Sequence, residues 1–88
     1  MTQQFFEEYA KRRISKEIKL EPKDIYMVWF NYTLGNAKGL FSFNSDKAYP
    51  NGNSNKPDYV EVTYNNDREV FYFDWYTKVR EIREFPLL

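Results

Sequence analysis

The reactive inventory of this 88-residue chain is thirteen carboxylates and thirteen Lys or Arg, with neither histidine nor cysteine. Losing imidazole and thiol together excludes His-based acid–base catalysis, cysteine nucleophiles, thiolate metal sites and disulfides. The carboxylates (Glu7, Glu8, Glu17, Glu21, Asp24, Asp46, Asp58, Glu61, Asp67, Glu69, Asp74, Glu81, Glu84) are scattered along the chain. A glycosidase-like pair needs two carboxyls converging in a cleft, one of them with a raised pKa. Glu61 and Glu69 come nearest to that requirement, because the strand pattern read below sets them on facing strands. Solvated charge on a strand face is nevertheless the ordinary state of such residues.

Without Cys or His, a hard-cation site built from oxygens is the remaining metal chemistry. The stretch from Asp46 to Asp58 is rich in Asp and Asn, but Lys47 and Tyr49 stand where an EF-hand loop needs acids before Gly52. Turn chemistry accounts for its composition. Three glycines form neither G-x-G-x-x-G nor G-x-x-x-x-G-K-[ST], so no phosphate loop is written here. Ser15, Ser42, Ser45 and Ser54 lack an activating imidazole and a G-x-S-x-G context. We expect no enzymatic activity, no cofactor and no metal.

Binding chemistry is better represented. Lys11, Arg12, Arg13, Lys16, Lys19 and Lys23 fall within thirteen residues, and Arg12, Lys16, Lys19 and Lys23 keep helical spacing. Arg12, Arg13, Lys16 and Lys19 are therefore candidate phosphate contacts for a nucleic-acid-binding accessory protein. The competing reading is a solvated helix face, balanced by Glu7, Glu8, Glu17 and Glu21 and favoured by the negative end of the helix dipole. Nucleic-acid modules usually carry a basic excess, whereas the formal charge here is zero.

The aromatics give the second binding signal. Fourteen of the eighteen rings lie between Tyr26 and Tyr76. Around Tyr26 to Tyr32 large residues fall at both parities, and Phe71 and Phe73 flank Tyr72. In strands this puts rings on both sheet faces, including any face that no helix covers. Tyr tolerates half exposure, and interfaces enrich Tyr, Trp, Phe and Arg. The candidate partner contacts are Tyr26, Trp29, Tyr32, Tyr49 and Tyr59, serving a protein partner or a homodimer. The plainer alternative is ring packing with some idle half-exposed tyrosines.

These residues are positioned by an α+β pattern in one domain spanning residues 1–88. Residues 2–19 read as a helix, with Thr2 as N-cap and Phe6, Tyr9, Ala10, Ile14 and Ile18 as its apolar stripe. Pro22 stops it. Strands follow at about 25–34, 39–43, 59–64 and 69–73, forming a four-stranded antiparallel β-meander. The first reads as an almost continuous apolar run, which predicts a central strand covered on both faces. Gly35 to Gly39 reads as its turn, and Asn65-Asn66-Asp67 as a tight hairpin whose Asn and Asp tolerate positive φ. Residues 44–58 form a long, mobile surface loop with two prolines. Asp74 then caps a short closing helix over 74–84, in which Trp75, Val79 and Ile82 sit at i, i+4 and i+7. Both helices are expected against the sheet.

No stretch approaches the roughly twenty apolar residues of a membrane span, and the first residues lack the order of a signal peptide. The expected setting is the cytoplasm, where the Asn31-Tyr32-Thr33 sequon is idle.

The chain also carries Tyr26, Val28, Trp29, Thr33-Leu34, Asn36 and Lys38, then Tyr59-x-Glu61-Val62-Thr63-Tyr64-Asn65, Asp67, Tyr76 and Lys78. Over residues 24–79 this pattern resembles a small family of uncharacterised proteins from phages and prophages of Gram-positive bacteria. The loop 44–58 departs from it. The resemblance implies a small phage-encoded accessory protein in the host cytoplasm. Such proteins are often stoichiometric inhibitors of host factors or host defence, anti-CRISPR proteins among them.

Overall fold

The computed structural model describes residues 1–52 and 54–86. Helix α1 spans Gln3–Ile18, with Thr2 Oγ1 accepting from the Phe5 amide at 3.1 Å. It ends at Lys19, whose left-handed φ of 57° turns the chain. A single 3₁₀ turn, Pro22–Asp24, leads into strand β1, Ile25–Thr33. Strand β2 is Asn36–Phe43, the short helix α2 is Ser45–Ala48, strand β3 is Tyr59–Asn65 and strand β4 is Val70–Tyr76. The four strands form one antiparallel sheet in chain order.

Register sorts the side chains. Ala37, Gly39, Phe41 and Phe43 on β2 share a face with Val60, Val62 and Tyr64 on β3 and with Phe71, Phe73 and Trp75 on β4. Helix α1 covers that face with Phe6, Ala10 and Ile14, all fully buried. Phe6 is the keystone. Its ring lies 5.1 Å from that of Phe30, 6.1 Å from Phe41 and 6.0 Å from Phe71, so it touches rings of both edge strands. Tyr9 stacks on Phe71 at 4.3 Å. Leu20, Ile25, Phe41, Phe43, Val60 and Val62 complete the core.

The α+β meander and the first helix agree with the sequence pattern, but several details differ. Strand β1 lies at the edge, not the centre. Its apolar run arises from a bulge: Met27 pairs with Phe41 and Trp29 with Leu40, leaving Val28 as the extra residue. Ile25 and Met27 face the helix before the bulge and Phe30 after it, so apolar residues crowd both parities without a second layer. The turn after β1 is two residues, Leu34 and Gly35, with φ of 53° and 83°. That is the double positive-φ geometry favoured in two-residue hairpins. Strand β2 consequently begins at Asn36, not at 39. In the second hairpin the positive φ falls on Glu69 (53°), not on an Asn or Asp, and the fourth strand starts one residue later.

The expected closing helix is absent. Asp74 caps nothing; it sits inside β4 opposite Glu61. Residues 77–86 carry no helix. Trp75 packs on the core, while Val79 and Ile82 are exposed. The helical i, i+4, i+7 spacing lost to the strand alternation of Phe71, Phe73 and Trp75, which already have a core to enter. Loop 44–58 is tied down more than its composition suggests. Asn44 Oδ1 caps α2 at the Lys47 amide (3.3 Å), and Ser45 Oγ donates to Asp58 Oδ1 (3.4 Å). Within the Asn51–Asn55 stretch, Asn53 lies outside the described residues.

Candidate functional site: the helix-free face of the sheet

With α2 confined to the loop between β2 and β3, the second sheet face carries no helix. Alternation from the core positions delivers its residues in rows. One row crosses all four strands as Tyr26, Ser42, Tyr59 and Tyr76. The next is Trp29, Leu40, Glu61 and Asp74, and the third is Asn31, Lys38, Thr63 and Tyr72. Tyr26, Trp29, Tyr59, Tyr72 and Tyr76 are 40–52% exposed, each presenting ring surface together with a hydroxyl or indole N–H. Tyr59 and Tyr76 oppose each other directly, close enough to act as one surface.

The charges are few and uneven. Lys38 Nζ reaches Glu61 Oε1 at 3.4 Å. Glu61 also faces Asp74 across the β3–β4 ladder, a like-charge opposition that costs stability. Among the described residues Asp74 has no ion-pair partner. The face thus holds two carboxylates against one ammonium. Towards the first hairpin it opens into a basin of about 350 Å³ lined by Trp29, Asn31, Thr33, Leu34, Lys38 and Thr63, among others.

The structure brings Tyr26, Trp29 and Tyr59 together on this face. Tyr32 stands opposite Ala37, a core position, and so belongs to the helix side of the sheet, although it is 49% exposed. Tyr49 is elsewhere. Its ring meets Phe43 edge-on at 6.2 Å, and its hydroxyl donates to the Pro57 carbonyl at 2.9 Å. Burial raises the Tyr49 pKa, and the Asp58 charge adds to the rise, so the hydroxyl stays protonated as a donor. Its visible work is closing the loop. Tyr72, Tyr76 and Leu40 join the face without having been singled out in the sequence. The signal for the tyrosines was the unbroken parity of Phe71-Tyr72-Phe73-Asp74-Trp75-Tyr76.

The basic residues of α1 divide into two sets. Lys11 pairs with Glu7 at 2.7 Å and Arg13 with Glu17 at 2.9 Å. Arg12, Lys16 and Lys19 have no carboxylate partner among the described residues. Arg12, Arg13 and Lys16 line a shallow depression of about 150 Å³ beside Tyr9. Glu61 and Glu69 are not brought together: Glu69 lies in the turn, and Asp74 takes the position opposite Glu61. No cluster of three metal-ligating residues occurs among the described residues. No described helix is long and apolar enough to cross a membrane.

An α+β meander with one sheet face buried under α1 and the other open and aromatic defines the class of molecule. By sequence, the chain belongs to a family described as "Family of unknown function (DUF6275)", whose model matches residues 1–84. No curated protein and no solved structure matches it.

Proposed function

We propose that this chain is a non-enzymatic protein-binding module whose docking surface is the helix-free sheet face. The observation that carries the reading is the uncovered row Tyr26, Tyr59 and Tyr76, flanked by Trp29 and Tyr72. Half-exposed rings on rigid strands lose little entropy on binding and are the side chains that dominate interface energies. The carboxylates Glu61 and Asp74 disfavour a phosphate backbone on this face. Through its resemblance over residues 24–79, we read the module as a phage-encoded accessory protein. It would act in the bacterial cytoplasm as an inhibitor of a host factor or host defence, in the manner of anti-CRISPR proteins.

The test is a tagged pull-down from a Gram-positive host lysate with the wild type and with Tyr26→Ala/Tyr59→Ala. A salt-resistant protein partner recovered by the wild type should be lost from the double variant by roughly tenfold or more. The melting temperature of the variant should fall by no more than about 5 °C. A concerted loss of fold would instead make these rings structural, and equal recovery by both proteins would remove the face from the binding account.

A second reading has its own observation: Arg12 and Lys16, one turn apart on α1, have no carboxylate partner among the described residues. On that reading the helix binds nucleic acid. A labelled oligonucleotide should then bind with strong salt dependence and lose affinity on Arg12→Glu/Lys16→Glu. Binding unchanged by the charge reversal would discard it.

A further inference from the structure

The segment after β4 leaves the sheet with apolar side chains in water. Val79, Ile82 and Phe85 are 98%, 70% and 84% exposed. Its first residues are fixed, because the Lys78 amide donates to Asp58 Oδ2 at 3.0 Å and the Asp58 amide donates to the Tyr76 carbonyl at 2.8 Å. Beyond them Glu81 binds both Lys78 (2.9 Å) and Arg83 (2.5 Å). The Arg83 and Lys78 hydrogen bonds hold the Glu81 carboxyl below its usual range, while Glu81 raises the Lys78 ammonium above its own. Arg80 is the cation of this segment with no carboxylate partner among the described residues. The radius of gyration, 14.7 Å, exceeds the roughly 12 Å of a compact chain of this length. The excess fits a segment standing off the sheet.

We infer that residues 77–86 dock across the helix-free face of a second copy of this chain, each copy lending its segment to the other. The inference rests on reading that face as a docking surface. The two surfaces need the same thing, since exposed rings and exposed aliphatic groups are both relieved by contact. Val79, Ile82 and Phe85 are three residues apart, which aligns them along one side of a helical or polyproline-like ribbon. The charges match. The segment has Lys78, Arg80 and Arg83 against Glu81 and Glu84, and the face has Glu61 and Asp74 against Lys38. Arg80 answers Asp74, neither of which has an ion-pair partner among the described residues.

Two other arrangements fit less well. To cover its own face, the segment must reverse round β4 immediately after Lys78, where Asp58 holds it. Pressing two faces together without the segment would desolvate Glu61 and Asp74 against their own copies, a costly burial of like charge. A two-fold exchange of segments avoids both and makes every contact twice.

Sedimentation of the 88-residue chain across a micromolar to sub-millimolar series tests this directly. The wild type is expected to show a concentration-dependent dimer. Ile82→Asp/Phe85→Asp should raise the dimer dissociation constant roughly tenfold or more, with a melting curve unchanged at concentrations where the wild type is monomeric, because both side chains are exposed. Trp29→Ala/Tyr59→Ala should do the same from the other side. Mixing the two variants should restore a heterodimer, weaker than the wild-type dimer but above either variant alone, since one intact segment meets one intact face. A wild type that stays monomeric overturns the inference. So does a segment variant that dimerises like the wild type, or a mixture that recovers nothing. If the chain is monomeric yet the face variant still loses its protein partner, the docking face stands and the exchange falls; if the face variant alters neither, both fall.

Discussion

Phe6→Ala is expected to remove about 3–5 kcal/mol of unfolding free energy, the range for truncating a buried aromatic ring. Phe6 is fully buried and is the ring in contact with Phe30, Phe41 and Phe71. Alanine would delete the contact that ties α1 to both edge strands, and the surrounding rings sit on a hydrogen-bonded sheet that cannot collapse into the gap. A small domain holds only about 5–15 kcal/mol in total, so the variant should be partly unfolded at 37 °C. Urea denaturation followed by tryptophan fluorescence measures the change. Phe5→Ala is the internal control, because Phe5 is 52% exposed and should cost no more than about 1 kcal/mol. Equal losses at the two positions would mean that the helix presents a different face to the sheet.

Gly39 shows the second large effect, and for a spatial reason. A Cβ at this position would lie 2.8 Å from Phe6 Cε1, 3.2 Å from the Trp29 carbonyl oxygen and 3.3 Å from Phe41 Cε1. The nearest atom belongs to a wedged ring and the next to backbone, so neither yields cheaply. Gly39→Ala should therefore destabilise by about 1–3 kcal/mol, the usual cost of overpacking. The two effects are coupled. In a Phe6→Leu background the added methyl meets a smaller neighbour, and the Gly39→Ala penalty should shrink by more than 0.5 kcal/mol, on the order expected for contacting residues. A double-mutant cycle in urea reads this out, and strict additivity would disprove the contact.

Much of the architecture was legible because it is periodic. Phe6, Ala10 and Ile14 keep helical spacing, and Val60, Val62 and Tyr64 alternate, so both faces declare themselves. The misreadings share one cause: local pattern was outweighed by pairing. Trp75, Val79 and Ile82 keep helical spacing, yet Trp75 is claimed by β4 through its place opposite Val60. The apolar run from Ile25 implied a second covering layer, but one inserted residue, Val28, had merely exchanged the faces halfway along. A bulge leaves no mark on composition. The candidate face was half legible for the same reason. Tyr26, Trp29 and Tyr59 could be named as rings in strands, while their meeting in rows depends on register, which is set by hairpin turns at Leu34-Gly35 and 66–69.

The Val28 bulge has a further consequence for how this molecule meets others. An edge strand normally offers an unbroken ladder of free amides and carbonyls, which invites another chain to zip alongside and extend the sheet. On β1 the ladder loses its phase at Val28, so an incoming strand in step with Ile25–Met27 is out of step with Trp29–Thr33. Continuous growth through this rim is interrupted within a few residues. The molecule is thereby guarded against sideways polymerisation on the β1 side.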